Sequence, residues 1–228
     1  MLNIAHRGAS GHGLAPENTL AAFRLAMDIG ADLIELDVHR SKDEKIVVIH
    51  DDSLDRTTDR KGSVRDLNFR EIMSADAGEG QRVPLLAEAL ELMHDRAMVL
   101  LEIKPNDITG DVIQQIRDCD AADHVIIQSF HPEVVVESFA LAPGIPRGLL
   151  TGGGDDFAAR TCSVGAGLVV PSFNLLNEET VGNVRLRGLG LWTYTIDEPD
   201  QMREAVDLGV DGIITNQPDR LKSVLAMS

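Results

Sequence analysis

Residues 33–50 read Leu-Ile-Glu-Leu-Asp-Val-His-Arg-Ser-Lys-Asp-Glu-Lys-Ile-Val-Val-Ile-His and contain two short apolar runs. The first run ends at Val38 and the second begins at Ile46, so only residues 39–45 separate them. This connection is too short for the helical crossover that a parallel return requires. The two runs are therefore predicted to form an antiparallel hairpin.

Outside this hairpin, apolar runs alternate with segments of helical periodicity. Strands are predicted at residues 2–6, 33–38, 46–50, 98–103, 125–128, 147–151, 168–170, 191–196 and 212–215. Helices are predicted at residues 19–29, 85–93, 111–117, 132–141, 178–186, 199–208 and 218–225. Neighbouring parallel strands need a connection that crosses over the sheet, and a helix provides it. Strands that are separated by helices are therefore predicted to run parallel.

Setting aside the return arm of the hairpin leaves eight predicted strands in 228 residues. The pattern therefore predicts an α/β fold, a (β/α)8 TIM barrel with an antiparallel hairpin arm after the second strand. Residues 1–228 are expected to form a single domain, with the hairpin and a short insertion at about residues 39–83. A doubly wound open sheet is the alternative, but it more often carries a glycine-rich phosphate loop after an early strand, and the sequence has none.

The composition restricts the classes of partner. The chain carries 21 basic and 37 acidic residues, a formal net charge of −16, which argues against binding a nucleic-acid backbone or an anionic membrane. No apolar run approaches the roughly 20 residues of a membrane helix, and no signal peptide is recognised. Two cysteines, Cys119 and Cys162, indicate a reduced, cytoplasmic setting. Self-association into homo-oligomers is left open.

Ionisable residues cluster at the predicted strand ends, where catalytic residues of such barrels lie. Glu35 and Asp37 share one face of a strand because they are two residues apart, and Glu102 ends another strand. Carboxylates that converge in this way would hold a hard cation, Mg²⁺ or Ca²⁺. A solvated ion network with Arg7, Lys104 and Arg40 explains the same acids equally well.

Two histidines are expected beside these acids. If the hairpin turn is centred between Asp43 and Glu44, then Asp37 lies directly opposite His50. His6 ends the first strand and would approach from the other side, so the two imidazoles form a candidate acid–base pair. His39 is two residues from Asp37 and would also lie near the barrel mouth.

A dication together with Arg7 and Lys104 would create a local positive centre in an otherwise acidic protein. Such a centre suits a phosphate oxyanion. One histidine could then activate the attacking oxygen while the other protonates the leaving oxygen. The residues alone therefore favour cleavage of a phosphodiester.

Several separated motifs now point to one family. They are His6-Arg7-Gly8, Ala15-Pro16-Glu17-Asn18-Thr19, Glu35-Leu36-Asp37, His50-Asp51, Arg56-Thr57-Thr58, Glu102-Ile103-Lys104 and Trp192-Thr193. In this order they resemble the glycerophosphodiester phosphodiesterases, relatives of the phosphatidylinositol-specific phospholipases C. The resemblance covers nearly the full chain and is densest over the first 60 residues.

The resemblance implies a metal-dependent barrel enzyme that hydrolyses a small glycerophosphodiester to glycerol 3-phosphate and an alcohol. It implies that Glu35, Asp37 and Glu102 hold the divalent cation and that His6 and His50 are the acid–base pair. It further implies that Arg7 and Lys104 contact phosphate and that Trp192 lines the pocket near the glycerol. Attack by the glycerol 2-hydroxyl, giving a cyclic intermediate, is open, as is the order in which the histidines act.

Two positions depart from the family pattern. Glu44 stands in the hairpin turn where the family usually has glycine, and Asn216 stands where it often has aspartate. The second change removes a possible charge at the barrel mouth without removing a proposed metal ligand. Other readings are a lipid phosphodiesterase of the phospholipase C or D type, a sugar-phosphate isomerase or aldolase, and a phosphate binder without catalysis.

Overall fold

The computed structural model describes residues 1–154 and 156–227, and its strands form one sheet. Within these residues the strands are β1 (Leu2–Ala5), β2 (Leu33–Arg40), β3 (Ile46–Val48), β4 (Met98–Ile103), β5 (Val125–Ser129), β6 (Arg147–Thr151), β7 (Leu168–Pro171), β8 (Gly190–Thr193) and β9 (Gly212–Thr215). All of the predicted strands are present, with ends that differ by a few residues.

The sheet closes into a barrel. Each strand other than β3 pairs in parallel with its neighbours in the order β1-β2-β4-β5-β6-β7-β8-β9, and β9 pairs with β1 to complete the ring. β3 lies outside the ring and pairs antiparallel with β2. The predicted (β/α)8 barrel with a hairpin arm after its second strand is therefore confirmed.

Helices pack around the outside of the ring. In the described part of the chain they are α1 (Leu20–Ile29), α2 (Phe69–Met73), α3 (Leu86–Met93), α4 (Thr109–Asp118), α5 (Pro132–Leu141), α6 (Phe157–Ser163), α7 (Glu178–Leu186), α8 (Pro199–Leu208) and α9 (Pro218–Leu225). Short 3-10 helices occupy Val64–Asp66, Ala122–His124 and Phe173–Leu175. Among the described residues, no helix combines the length and the apolarity needed to cross a bilayer.

Helix ends follow the local sequence. α8 begins at Pro199, whose fixed φ suits the first helical turn, and ends before Gly209, which adopts a left-handed conformation at φ +80°. At α1 the Thr19 hydroxyl caps the helix by accepting a hydrogen bond from the Ala22 backbone N–H at 3.2 Å. α6 was not predicted, because its seven residues follow a glycine-rich loop and carry little apolar periodicity.

The interior of the barrel is apolar up to its mouth. Alternate strand residues point inward, and they form a buried cluster of Ile4, Leu33, Leu100, Leu150, Leu168, Val170, Trp192 and Ile214. The intervening residues, such as Ile34, Leu36 and Leu101, face the helices and belong to the outer core. Because side chains alternate along a strand, Glu35 and Asp37 follow Leu33 on the inner side, nearer the carboxyl end of β2.

The register of the hairpin differs from the prediction. Val38 pairs with Val48, and the Ile49 N–H donates to the Asp37 carbonyl at 3.0 Å. Asp37 therefore lies opposite Ile49 and not opposite His50. The predicted pairing of Asp37 with His50 is wrong by one residue.

The turn explains this shift. Ser41 pairs with Lys45, since the Ser41 N–H donates to the Lys45 carbonyl at 2.9 Å. The loop between them has three residues, and its last residue, Glu44, adopts φ +61°. This is a type I turn followed by a left-handed residue, a common three-residue hairpin loop. The prediction centred the turn between Asp43 and Glu44, which is half a residue too far along the chain.

The predicted insertion after the hairpin packs onto the free face of β3. Its apolar side chains form a separate cluster with Val47 and Ile49. The members contributed by the insertion include Leu54, Val64, Ile72 and Val83, all buried. This cluster holds the hairpin arm and residues 50–51 against the barrel mouth.

We predict that Leu100→Ala destabilises the barrel strongly. Leu100 is fully buried in the barrel interior, two residues before Glu102, and its truncation leaves a cavity beneath the acidic side chains. The free energy of unfolding, measured with urea, should fall by about 2–5 kcal/mol. Leu186→Ala is the matched control, since Leu186 on α7 is exposed and should change the same quantity by less than about 0.5 kcal/mol. Equal losses in both variants would contradict the assignment of the inner layer.

We also predict that Glu44→Gly stabilises the protein. The left-handed conformation costs a residue with a Cβ atom about 1–2 kcal/mol, whereas glycine adopts this conformation freely. Glu44→Gly relieves this strain in the folded state but also makes the unfolded chain more flexible, which partly offsets the gain. The free energy of urea unfolding should therefore rise by up to about 1 kcal/mol. Lys42→Gly, in the same turn but outside the positive-φ positions, should lower it. A loss in Glu44→Gly as large as that in Lys42→Gly would refute this description of the turn.

Candidate active site

A cleft of about 190 Å³ opens at the carboxyl ends of the barrel strands. It is lined by His6, Arg7, Glu35, His50, Glu102, Lys104, Gln128, Phe130, Leu150, Tyr194, Thr195 and Ile214. The lining contains both predicted histidines, both predicted phosphate-binding cations and two of the three predicted acids. Asp37 lies directly beside them, as its contacts show.

The three predicted acids converge. Glu35 and Asp37 come from β2, and Glu102 comes from the neighbouring strand β4, where it is the register partner of Asp37. Each offers a carboxylate oxygen within 4.8 Å of the others, and all three side chains are buried. The strand pairing therefore creates the cluster, since parallel neighbours in register bring their inward side chains to one level of the barrel.

Burial and mutual repulsion alter the titration of these acids. Burial, followed by the charge of Asp37, raises the pKa of Glu35 well above its usual value. The same two causes raise the pKa of Glu102 to about 7. Burial would also raise the pKa of Asp37, but the positive charges of Lys104 and Arg7 outweigh it and hold that pKa below its usual value.

Two cations offset part of this negative charge. The Lys104 ammonium lies 2.8 Å from Glu102 Oε1 and 3.4 Å from Asp37 Oδ1. Arg7 Nε lies 3.4 Å from Asp37 Oδ2, and the Arg7 backbone N–H donates to Glu35 Oε2 at 2.9 Å. Arg40, which the ion-network interpretation also included, pairs instead with exposed carboxylates near the start of α4.

The acidic cluster fits a hard divalent cation. Its donors are carboxylate oxygens, the ligands that Mg²⁺ and Ca²⁺ prefer. Asp37 Oδ1 is buried and, among the described residues, has the ion pair with Lys104 at 3.4 Å but no hydrogen-bond partner. Burial, and then the charge of Asp37, raises the pKa values of Glu35 and Glu102, and the nearby Arg7 and Lys104 do not reverse this rise. Glu35, Asp37 and Glu102 could therefore hold such an ion together.

The backbone at His6-Arg7-Gly8 is fixed by close packing. Arg7 adopts φ +58° and Gly8 φ +82°, so the chain turns sharply as it leaves β1. A Cβ atom on Gly8 would lie 2.7 Å from the backbone of Ala22 in α1, which requires glycine there. This turn directs the Arg7 N–H to Glu35 and leaves the His6 side chain on the inner side of the barrel.

His6 is oriented by an amide. Its Nδ1 lies 2.7 Å from Asn216 Oδ1, and its Nε2 lies 4.0 Å from Glu35 Oε2. The Asn216 amide nitrogen donates to Asp197 Oδ2 at 2.7 Å, which turns the amide oxygen towards His6. Burial, and then the charge of Arg7, lowers the pKa of His6 to about 4. Asn216, noted in the sequence only as a departure from the family pattern, thus contacts a predicted catalytic residue.

His50 is oriented by a carboxylate. Its Nδ1 lies 2.6 Å from Asp51 Oδ1, and Asp51 is held in turn by Arg56. The Arg56 hydrogen bonds, with that of His50, hold the pKa of Asp51 well below its usual range. His39 Nε2 lies 3.0 Å from the His50 carbonyl, so His39 is near the mouth, as expected, but supports the backbone and does not line the cleft.

Several residues around the cleft were not predicted to take part. Asn18 donates to Asp37 Oδ2 at 2.8 Å, and Asn18 Oδ1 accepts from the Asp37 N–H at 3.3 Å. Glu17 accepts hydrogen bonds at 2.8 Å from both Arg7 and Arg56. The motif Ala15-Pro16-Glu17-Asn18-Thr19 contains both residues and is part of the family resemblance. It could have identified them as candidates for the site, but it does not indicate which residues they contact.

The aromatic lining differs from the expectation. Trp192 packs in the apolar barrel interior, and the structure does not bring it to the cleft. Tyr194 and Phe130 line the cleft instead, edge to face, with ring centroids 5.9 Å apart. The strand period could have indicated Tyr194, since it follows Trp192 by two residues and lies on the same side, nearer the mouth.

Comparison with known proteins agrees with this geometry. The sequence profile of the glycerophosphoryl diester phosphodiesterase family matches residues 6–220. A glycerophosphodiester phosphodiesterase of Caldanaerobacter subterraneus subsp. tengcongensis is 37% identical, over 96% of this chain and 96% of the relative. One from Bacillus subtilis is 34% identical over 98% of this chain and 86% of the relative.

Solved structures give the same result. The glycerophosphodiester phosphodiesterase of Agrobacterium tumefaciens superposes with a TM-score of 0.85 at 32% identity, covering 98% of this chain and 100% of that one. A phosphodiesterase of Oleispira antarctica, solved in complex with the product sn-glycerol-3-phosphate, gives a TM-score of 0.90 at 26% identity, with coverages of 98% and 96%. The chain therefore belongs to the glycerophosphoryl diester phosphodiesterase family and is a phosphoric diester hydrolase.

Proposed function

We propose that this chain hydrolyses small glycerophosphodiesters to glycerol 3-phosphate and an alcohol, by two-histidine acid–base catalysis on a phosphate held beside a divalent cation. The main support is that His6, His50 and the acidic cluster of Glu35, Asp37 and Glu102 surround one cleft of about 190 Å³. The Oleispira relative, whose structure holds glycerol 3-phosphate, supports the same substrate class. A cleft of this size has room for a glycerol phosphate, while the acyl chains of a lipid would lie outside it.

The charges of the cleft suit a phosphodiester. Mg²⁺ or Ca²⁺ bound by the acidic cluster would neutralise negative charge on the phosphoryl oxygens. Arg7 and Lys104 also line the cleft and bring two permanent positive charges to the same group. The Lys104 ammonium has three donors on a flexible side chain, so it can keep its ion pair with Glu102 and also donate to a phosphate oxygen.

His6 is the better candidate for the general base. Asn216 Oδ1 can only accept a hydrogen bond, so the neutral His6 carries its proton on Nδ1 and presents a free lone pair at Nε2. A pKa lowered to about 4 by burial and by Arg7 is consistent with a neutral ring at physiological pH. His6 Nε2 can then take the proton of the attacking oxygen, either from water or from the glycerol 2-hydroxyl.

His50 is the better candidate for the general acid. Its Nδ1 lies 2.6 Å from the Asp51 carboxylate, which fixes the orientation of the ring. Arg56 anchors that carboxylate, so the ring remains held as its charge changes. His50 can then donate a proton from Nε2 to the departing alcohol oxygen.

The glycerol end has its own candidate contacts. Gln128 is buried, lines the cleft, and its Oε1 has no hydrogen-bond partner in the part of the chain that the structure describes. Such an oxygen can accept from a glycerol hydroxyl. Phe130 and Tyr194 can pack against the carbon backbone of the glycerol, the role that the family resemblance implied for Trp192.

We predict that His6→Ala and His50→Ala each lower turnover of glycerophosphocholine by about 10²–10⁴-fold, the usual contribution of one acid or base. Release of glycerol 3-phosphate measures turnover, and circular dichroism checks the fold. A substrate with a p-nitrophenol leaving group needs little protonation, so it should restore most of the activity of His50→Ala and little of that of His6→Ala. His12→Ala, an exposed histidine, is the control. Near-wild-type turnover in either variant rules out its assignment, and equal rescue of both rules out the division of roles.

We predict that Glu35→Gln raises the Mg²⁺ or Ca²⁺ concentration required for activity by at least about tenfold, because a ligand charge is lost from the cluster. Chelation should inactivate the wild type. Without metal the variant should be at least as heat-stable as the wild type, since one of three repelling carboxylates is neutralised. Glu133→Gln, at an exposed carboxylate, is the control. An unchanged metal titration in Glu35→Gln contradicts its role as a ligand.

A further inference from the structure

A second group of potential metal ligands lies at the other end of the barrel. His94 and Asp95 follow α3 directly and precede β4, and His124 ends the 3-10 helix that precedes β5. β4 and β5 are neighbours, and Val99 is the register partner of Val125. These three residues therefore lie at the amino-terminal edge of adjacent strands, opposite the mouth that carries the acidic cluster.

The three side chains approach one another closely. His94 Nδ1 lies 3.1 Å from Asp95 Oδ2, and His124 Nε2 lies 3.8 Å from Asp95 Oδ1. The two imidazole rings meet edge to face with centroids 5.1 Å apart. Each residue offers a ligand atom within 4.8 Å of the other two.

We propose that His94, Asp95 and His124 form a second, independent metal site, which takes a borderline divalent transition ion such as Zn²⁺. Two imidazoles and one carboxylate are a ligand set that suits zinc. The acidic cluster at the mouth offers oxygen donors and suits a hard ion instead. The two ends of the barrel are therefore expected to discriminate between the two classes of ion.

Backbone hydrogen bonds hold the segments that carry these ligands. The His94 N–H donates to the Leu90 carbonyl at 2.9 Å, and the His124 N–H donates to the Ala121 carbonyl at 3.0 Å. Asp95 adopts φ +58°, a conformation that aspartate tolerates better than most residues. Donor atoms around a tetrahedral zinc ion are about 3.4 Å apart. The two nitrogen–oxygen distances, 3.1 and 3.8 Å, run to different oxygens of Asp95, so binding one ion requires the exposed side chains to adjust around it.

The exposure of the ligands indicates the kind of site. The side chains of His94, His124 and Asp95 are 38%, 32% and 79% exposed, respectively. An ion can therefore reach them from solution, and water can complete the coordination shell. Three protein ligands with an open position make an exchangeable site, in contrast to the closed shell of a structural zinc site.

The competing explanation is a surface ion cluster without metal. In that case Asp95 pairs with whichever imidazole carries a proton, and such exposed pairs contribute little to stability. The two explanations differ in one measurable respect, since an ion cluster has no specific affinity for zinc.

The test is a calorimetric Zn²⁺ titration of the wild-type protein and of the double variant His94→Gln/His124→Gln, with Mg²⁺ in excess to occupy the mouth. We expect the wild type to bind one equivalent of Zn²⁺ with a Kd of about 10 µM or tighter. The double variant should bind that equivalent at least about 30-fold more weakly, since two of three ligands are gone. His12→Gln, at an exposed histidine on another loop, should behave as the wild type. The absence of this equivalent, or its persistence in the double variant, would overturn the proposal.

Two further measurements cover the case in which the double variant folds poorly. Asp95→Asn changes one exposed ligand and should by itself weaken Zn²⁺ binding by about tenfold. A crystal soaked in Zn²⁺ should give an anomalous peak about 2.0–2.2 Å from both imidazoles and the carboxylate, and a peak only at the mouth would refute the proposal. Hydrolysis of glycerophosphocholine with Mg²⁺ should be unchanged in all these variants, so a failure of the zinc site and a failure of the proposed function are separable.

Discussion

Three carboxylates are held out of water at one end of the barrel, and their mutual repulsion governs the groups around them. The strand pairing forces Asp37 and Glu102 to the same level, and alternation along β2 places Glu35 beside them. Arg7 and Lys104 offset part of this charge by pairing with different oxygens of Asp37. Buried ions that lack partners cost several kcal/mol each, so the cluster is stable only with these cations nearby, and a bound divalent ion would complete the balance.

The two histidines beside this cluster have partners of different charge. His6 lies deep, next to Arg7, and its partner is the neutral amide of Asn216, which fixes the ring without adding charge. His50 lies further out, and its partner is the Asp51 carboxylate. The two partners therefore differ in charge, and this difference agrees with the proposed division of base and acid between the two rings.

Much of this arrangement could be predicted from the sequence, because it follows from strand periodicity. Parallel strands with ionisable ends predict a polar barrel mouth, and the spacing of Glu35 and Asp37 predicts a shared face. These expectations need only the direction of a strand, which the apolar pattern supplies. The barrel and the convergence of the acids were therefore accessible without a structure.

Other features depend on loop geometry, which short sequence patterns do not specify. The hairpin register differs from the prediction because Glu44 takes a left-handed conformation that favours glycine, so the three-residue turn is centred on Asp43 and not between Asp43 and Glu44. The contacts of Asn18 and Asn216 join residues far apart in the chain, and periodicity carries no information about them. Trp192 was placed at the mouth from the family resemblance, although its distance along β8 puts it one layer lower than Tyr194.

In barrels of this kind the catalytic residues usually lie at the carboxyl ends of the strands, while residues at the amino ends contribute to stability. His94, Asp95 and His124 lie at the stabilising end, where they connect the segment before β4 to the segment before β5. An ion bound there would tie together two strands that also carry Glu102 and Gln128 at their other ends. A ligand that binds only the folded state stabilises it. Such an ion would therefore raise the stability of the barrel and take no part in the reaction at the mouth.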